Sequence, residues 1–361
     1  VIQRGVDSLS EFIQTMVQAG VQNIPTYKSW IADHGDDMNN WFDYEQEAGM
    51  PDIRDLIKPD FHETKPLILF NYTQSAHAKL HLYVNGWTVP LRLCRGIIFE
   101  TTGRLVALPF VKFFNLDQDP ETMYEALPDG IHWWAPRKYD GHLGIIFEYE
   151  GEWLLTTRGK FTSTTAQIGQ GMLDRYRCSD ADWDECEPLT LLVEMIHPET
   201  RIHLDYDKDE HGFVLIGANN RYTLHDLLPD ELEPIAQALG LRQAELWEGG
   251  DLDSLIEHIR DRSVENKEGW VIRFENGLRV KIKYETYLAM MYTKQLSYRY
   301  LMNRMVAGDL ESRLEVLDDE VYDRAMSMQG DILRRLYMPA RLLSHIWKRL
   351  YELQDPDVTE N

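Results

Sequence analysis

Between Leu67 and Lys283 one local texture recurs: short runs of β-branched and aromatic residues, each closed off by Gly, Asn or Asp. PLILFNY, RGIIFE, RLVALPF, LGIIFEYE, EWLLTTR, TLLVEMI, FVLIGA, GWVIRF and LRVKIK are strand-like in length and composition. LGIIFEYEGEWLLTTR predicts a hairpin turning at Glu150-Gly151. Only two helical patterns, 226–240 and 251–262, interrupt the later runs. Strands in succession favour a largely antiparallel sheet, so the fold class expected is α+β.

The flanks differ from this centre. Residues 8–21, opened by Ser8, carry apolar residues at helical spacing. The stretch 33–65 is acidic and broken by Gly35, Gly49, Pro51 and Pro59, which predicts short helices and loops. After Lys283 the runs 285–306 and 310–354 are rich in Leu, Met, Arg and Tyr at three- and four-residue steps, hence helical. Three regions result: a helical and irregular segment 1–65, a sheet domain 66–288 and a helical domain 289–361.

Composition narrows the function classes. Thirty-seven Lys and Arg against 60 Asp and Glu leave a net charge of -23, which argues against coating nucleic acid by bulk attraction. Residues 66–170 and 290–361 are nearly balanced, at -1 and -2, and a phosphate-handling surface is expected in these near-neutral parts. Cys94, Cys178 and Cys186 lack CxxC spacing, so neither a disulfide framework nor a zinc site is expected. No apolar run approaches the roughly 20 residues of a membrane helix. These features fit a cytoplasmic protein, or one in the host cytoplasm if a phage encodes it.

The sequence contains no GxxxxGK[ST], GxGxxG or HExxH, so a nucleotide would have to be handled otherwise. Lys138-Tyr139-Asp140-Gly141 lies just before the run LGIIFEYE. A neutral lysine amine can attack the α-phosphorus of a nucleotide, provided nearby cations or a dry pocket depress its pKa. Asp140 can accept from a ribose hydroxyl, and Gly141 lets the backbone turn beside a ligand. By composition such a tetrapeptide occurs by chance in roughly one chain of this length in fifteen, and alone it describes a surface turn.

Its context changes that balance. Asn71-Tyr72, Cys94-Arg95-Gly96 and Lys112-Phe113-Phe114-Asn115 precede it; Thr157-Arg158-Gly159, Val193-Glu194, Pro198-Glu199-Thr200-Arg201, Glu268-Gly269-Trp270-Val271 and Lys281-Ile282-Lys283 follow. Lys281 and Lys283, two apart on a strand, face one side and can converge on a triphosphate. They would neutralise charge on the leaving pyrophosphate and lower the pKa of a neighbouring Lys138. Glu194, in the apolar run TLLVEMI, must be paired or bind a ligand, because burying a lone carboxylate is costly.

In this order the motifs resemble the covalent nucleotidyltransferases, and within them the phage-type RNA ligase 1 family, from about Leu67 to Tyr287. The resemblance implies an ATP-grasp-like adenylyltransferase fold on an antiparallel sheet. It implies ATP with Mg²⁺ or Mn²⁺ as cofactors, and RNA with 5′-phosphate and 3′-hydroxyl ends as substrate. A cleaved tRNA and an end-healing kinase or phosphatase are the partners it suggests, with no membrane. Lys138 would become Lys-AMP, and Asp140 and Gly141 would shape the ribose side. Arg95 and Lys112 match cations that contact the nucleotide, and Tyr72 and Phe114 match required aromatics. Arg158 stands where the pattern carries lysine. Glu194 and Glu268, followed by Gly269, match its acidic positions; Lys281, Lys283 and Tyr287 match its last motif. The family's metal carboxylate falls at Ala307, with Asp309 nearby, so no metal ligand is assigned.

The remaining candidates are weaker. His197, His203 and Asp205 could be written as a metal triad, but nothing in the sequence fixes their convergence. Trp133-Trp134 is expected to pack beneath the nucleophile loop, and Cys94 to be a packed thiol. Arg299, Arg304, Arg334, Arg335, Arg341, Lys348 and Arg349 could touch RNA phosphates or face solvent. The alternatives are a DNA ligase or capping enzyme, which would append a β-rich OB domain after Lys283, and a binding module that has lost catalysis.

Overall fold

The computed structural model describes residues 1–80, 83, 86–177, 183–308, 310, 314 and 321–335. The chain divides into two compact units, Val1–Leu288 and Ala289–Asn361.

The first unit opens with helices α1 (Ile2–Gln18), α2 (Ile24–Asp33) and α3 (Gly35–Trp41). Ser8 lies inside α1 rather than capping it, because Gly5 and Val6 continue the buried stripe of Leu9, Phe12, Ile13 and Met16 toward the N-terminus. Four antiparallel strands follow: β1 (Ile57–Phe61), β2 (Leu67–Tyr72), β3 (Arg95–Glu100) and β4 (Leu105–Ala107), hydrogen-bonded in that order. Between β2 and β3 lie the short helices α4 (Gln74–Leu80) and α5 (Val89–Leu93).

Next come the short strands β5 (Phe114–Asn115), β6 (Trp133–Trp134) and β7 (Arg137–Lys138), and then the hairpin of β8 (His142–Tyr149) and β9 (Glu152–Thr157). It turns where expected: Glu150 and Gly151 have φ of 55° and 81°, and Tyr149 pairs with Glu152, a two-residue turn with both centres left-handed. After α6 (Thr164–Arg177), β10 (Leu189–Ile196) and β11 (Gly212–Asn220) extend this sheet. Past α7 (Pro229–Leu239), β12 (Arg242–Gln243) completes the order β12-β11-β10-β8-β9. α8 (Leu252–His258) leads to β13 (Gly269–Phe274) and β14 (Arg279–Lys283), which form a third sheet in the order β5-β14-β13-β6, with β7 also on β13. Among the described residues only the β11–β12 and β5–β14 pairings are parallel.

Period-two alternation builds the layers. Leu67 and Leu69 of β2 join Ile98, Ile145, Phe147 and Leu192 in a core shared by the first two sheets. Ile68, Phe70 and Tyr72 face the opposite way, into a core with α1, α2 and α3. There the Phe12 ring meets Trp30, Trp41, Phe42 and Phe70 at centroid separations of 5.2 to 5.8 Å. Removing a buried aromatic costs about 3–5 kcal/mol, so the leading helices are firmly bound to the sheet. The far face of the second sheet is covered by Met172 and Leu173 of α6 and Leu232, Ala236 and Leu239 of α7.

Helix α9 (Glu285–Gln295) crosses the boundary, and α10 (Tyr298–Ala307) lies within the second unit. Ser297 caps α10 by accepting from Tyr300 N, and Gly308 ends it at φ 72°. Residues 321–335 are also helical, with Val321, Ala325, Met328 and Ile332 buried at helical spacing. Among the described residues after Lys283 there is no strand. No helix among the described residues is long and apolar enough to cross a membrane.

Candidate active site

Lys138 is the last residue of β7, and the chain passes from there through Asp140 and Gly141 into β8 of the second sheet. In the third sheet Gly269 pairs with Lys138 on one side and with Lys283 on the other. Two lysines therefore flank one glycine. A Cβ on Gly269 would lie 2.0 Å from Ile282 O and 2.8 Å from Lys283 Cα, so no other residue fits without shifting the strands. Glu268, just before β13, supplies the counter-charge: its Oε1 lies 2.8 Å from Lys138 Nζ and 3.1 Å from Lys283 Nζ.

Glu194 closes the group from the second sheet. It alternates with the buried Val193 and Met195, and its Oε1 accepts from Gly141 N at 3.0 Å. A Cβ on Gly141 would come within 2.6 Å of Met195 O, which is the close approach that requires glycine. Asp140 is buried, and its carboxylate clamps the loop: Oδ2 accepts from His203 N at 2.8 Å and Leu204 N at 2.6 Å, and Oδ1 from Tyr287 Oη at 2.7 Å. The Asp140 carboxylate is thus engaged by protein donors, where the sequence suggested a ribose hydroxyl. Lys283 Nζ lies 5.5 Å from the centre of the Tyr287 ring.

The electrostatics correct one expectation. Desolvation pulls the Lys138 amine down and Lys283 adds to that pull, but Glu268 and Glu194 outweigh both, and the net shift is upward rather than downward. Glu194 is pushed up to about 7 by burial, opposed by Lys138 and reinforced by Glu268 and Asp140. The cluster therefore holds two carboxyl groups and two lysines in a largely buried setting, with the Lys138 side chain a quarter exposed and one carboxyl that titrates near neutrality. Glu268 Oε2 is buried and has no partner among the described residues. An orphaned carboxylate oxygen beside two lysines suits a ligand donor or a divalent cation.

The other candidates form two neighbouring groups. Arg95 and Lys281 both lie 5.7 Å from the centre of the Phe113 ring. Arg158 donates to Tyr72 Oη at 3.1 Å and sits 5.3 Å from its ring centre. Gly96, at φ 91°, lets Arg158 approach, since a Cβ would be 3.1 Å from Arg158 Cα. Lys112 is surrounded by aromatic rings. It is 2% exposed, with its Nζ 3.1 Å from His77 Nδ1 and 4.8 to 5.1 Å from the ring centres of Trp87, Tyr72 and Phe114. The ammonium that the sequence assigned to a phosphate is held in an aromatic enclosure.

The RNA ligase family model matches residues 93–291, more than half of the chain. The chain belongs to the phage-type RNA ligase 1 family. A Thermovibrio ammonificans protein described as a proposed RNA ligase is 28% identical over 278 residues, covering 72% of this chain and 71% of that one. Among solved structures, an archaeal ATP-dependent RNA ligase is 17% identical and covers 76% of this chain and 72% of its own, with a TM-score of 0.47. A Naegleria gruberi RNA ligase variant solved with ATP and Mn is 14% identical and covers 44% of this chain and 52% of its own, with a TM-score of 0.37.

This RNA ligase family member also uses residues that sequence reasoning passed over. Tyr206 Oη accepts from Asp140 N at 2.7 Å, and burial raises its pKa. With the amides of His203 and Leu204 it fixes the Asp140 turn; in the sequence it stands only five residues after the motif Pro198-Glu199-Thr200-Arg201. His203 therefore serves through its main chain, and its ring rests against Tyr287 at 5.9 Å. Among the described residues no group of three or more His, Cys, Asp or Glu could hold a metal ion, so the His197, His203 and Asp205 triad does not form. Trp133 and Trp134 form β6, paired with Phe274 and Arg273 at the end of β13 remote from Lys138, not beneath the nucleophile loop. Cys94 is fully buried, and its thiol pKa is raised by burial. Arg334 pairs with Asp331 at 2.6 Å, while Arg304 and Arg335 lie over the rings of Tyr300 and Tyr298. Asp309, Arg341, Lys348 and Arg349 lie outside the described residues.

Proposed function

We propose that this chain is an ATP-dependent RNA ligase that joins 5′-phosphate and 3′-hydroxyl RNA ends through a lysyl-AMP on Lys138. The observation that carries this reading is the meeting of the Lys138 and Lys283 ammonium groups on one buried Glu268 oxygen, at 2.8 and 3.1 Å. A lysine held on a carboxylate has a proton acceptor at hand, and a second cation beside it stabilises a phosphate that it attacks.

The Lys138 amine gives up its proton toward Glu268 and attacks the α-phosphorus of ATP. The N–P bond forms as the bond to pyrophosphate breaks, with Lys281 and Lys283 neutralising the departing charge. An oxygen of the RNA 5′-phosphate then attacks the lysyl-AMP phosphorus, restoring the amine and leaving a 5′-5′ adenylated end. Finally the 3′-hydroxyl oxygen attacks the RNA 5′-phosphorus, its proton is lost, AMP departs and a phosphodiester remains. A divalent cation, Mg²⁺ or Mn²⁺, would be held by Glu268 and Glu194 and supplies further positive charge to the phosphates. In this scheme residues 66–288 are the adenylyltransferase domain, and 289–361 help select an RNA such as a cleaved tRNA. The helical sequence after Lys283 favours an RNA ligase over the OB-bearing DNA ligases and capping enzymes.

Incubation with ATP and Mg²⁺ should add one AMP to the protein by mass, and Lys138→Ala should abolish it. The same variant should still seal a pre-adenylated RNA end, because the third step does not use the amine. AMP on the variant would refute the nucleophile, and loss of sealing by a folded variant would refute the order of steps. Nicked DNA, nicked duplex RNA and single-stranded RNA, assayed side by side, separate the RNA reading from the DNA one.

A further inference from the structure

A cleft of about 810 Å³ opens beside the third sheet, lined among others by Arg92, Phe110, Phe113, Asp226, Arg273 and Arg279. It does not contain Lys138, Glu268 or Lys283. Its charges are unusual for so acidic a chain. Four Lys and Arg side chains line it (Arg92, Lys112, Arg273, Arg279) against three carboxylates (Glu121, Asp226, Glu275). Two of the guanidiniums share a single acid: Asp226 takes Arg279 through both oxygens at 2.6 and 2.7 Å and Arg273 at 3.0 Å. The pair therefore carries an uncompensated positive charge in a buried setting. Burial and the neighbouring Arg279 hold the Arg273 guanidinium below its ordinary value. Arg273 is 5% exposed, and its Nε has no partner among the described residues. A buried donor left unpaired beside an open cleft is what an anionic ligand would satisfy.

The strand register joins this cleft to the candidate active site. Arg279, Lys281 and Lys283 alternate with the buried Val280 and Ile282, so the three cations share one face of β14. Each lies over an aromatic ring: Arg279 over Phe110 at 4.3 Å, Lys281 over Phe113 at 5.7 Å and Lys283 over Tyr287 at 5.5 Å. Phe113 lines the cleft as well, so the row runs without a break from Lys283 to Arg279, about 13 Å at the usual strand rise of ~3.3 Å per residue. Spaced cations over aromatic rings are the pattern that follows a single-stranded polynucleotide.

We propose that this cleft binds a phosphodiester of the RNA strand being joined, set back from the reacting end, with Arg279 and Arg273 as its anchor. The inference rests on the RNA ligase reading, and it adds a subsite that AMP transfer to Lys138 does not need. Arg279 is held rigidly between Phe110 and Asp226, so a phosphate would meet the net positive charge of the two guanidiniums and the unpaired Nε of Arg273.

The test is fluorescence anisotropy of the full chain with a 5′-phosphorylated single-stranded RNA at several salt concentrations, with AMP loading from ATP measured in parallel. Arg279→Gln should weaken RNA binding about tenfold and flatten the log–log salt slope by roughly 0.7, the value for one phosphate on a single strand. AMP loading should stay within about twofold. Glu275 is exposed on the cleft wall, so Glu275→Gln can be made without disturbing the core and should tighten RNA binding about twofold. Unchanged RNA affinity in both variants overturns the proposal. So does an Arg279→Gln effect confined to inhibition by pyrophosphate, which would make the bound anion the leaving group. If wild type takes no AMP, the ligase reading itself fails, and that outcome is read separately from the RNA arm.

Discussion

Glu194 is the residue whose chemistry departs furthest from its type. Its carboxyl is raised to about 7 by burial, so the folded protein holds a proton there that the unfolded chain has released above its ordinary value of 4.5. The native state binds more protons between pH 4.5 and 7, and stability must fall as pH rises through that window. At about 1.4 kcal/mol for each pH unit in that window, the loss approaches roughly 3 kcal/mol above pH 7. Glu194→Gln mimics the neutral acid and removes this dependence. Free of ligand, the variant should match wild type near pH 5 and exceed its stability by about 2–3 kcal/mol at pH 8. Thermal melts at both pH values check the sign; a stability difference independent of pH would mean the carboxyl is not raised. The same variant should lose AMP loading by at least tenfold, because the charge beside Lys138 would be gone.

At the scale of elements the candidate site depends on how closely strands approach. Gly269 leaves no room for a Cβ, whereas Gly151 has open space around it and only a left-handed φ of 81°. Gly269→Ala should therefore cost about 3 kcal/mol by forcing β13 and β14 apart, and Gly151→Ala only about 1 kcal/mol. Urea midpoints rank the two, and equal effects would contradict the packing around Lys138 and Lys283. The same contrast explains what could be seen in advance. The β8–β9 hairpin was legible because its turn is written in two adjacent residues. β1 was not, because Pro59 and the charged Lys58 and Asp60 disguise it; as the edge strand of its sheet it tolerates a proline that a central strand would reject. α6 was missed because Gly169 and Gly171 lower its helix propensity. Yet Gly169 is what lets it lie on the sheet, where a Cβ would come within 2.5 Å of Leu155 and 2.6 Å of Met195. The family motifs identified the residues of the site, but not their wiring. That Lys138 and Lys283 share Glu268, or that Lys112 is enclosed by Trp87 and His77, depends on contacts between segments far apart in the chain.

For the whole molecule, a net charge of -23 must be reconciled with a polyanionic substrate. Long-range attraction cannot supply the affinity, since the summed field repels RNA at distance and is screened beyond about 10 Å at ordinary salt. Binding must then come from local cations held in dry or aromatic surroundings, such as Lys281 and Arg95 on Phe113 and Arg158 on Tyr72. A few such contacts release few counterions. With roughly three to five phosphates engaged, at ~0.7 per phosphate for a single strand, log affinity should fall with log salt at a slope of roughly -2 to -3.5. Association should also be slow compared with that of basic RNA-binding proteins, quickening as salt screens the repulsion, while dissociation quickens more steeply, so that affinity still falls with salt. Stopped-flow anisotropy between roughly 50 and 300 mM salt resolves the two rates. A slope steeper than about -6, or an on-rate that falls with salt, would mean that a basic surface outside the candidate site dominates binding.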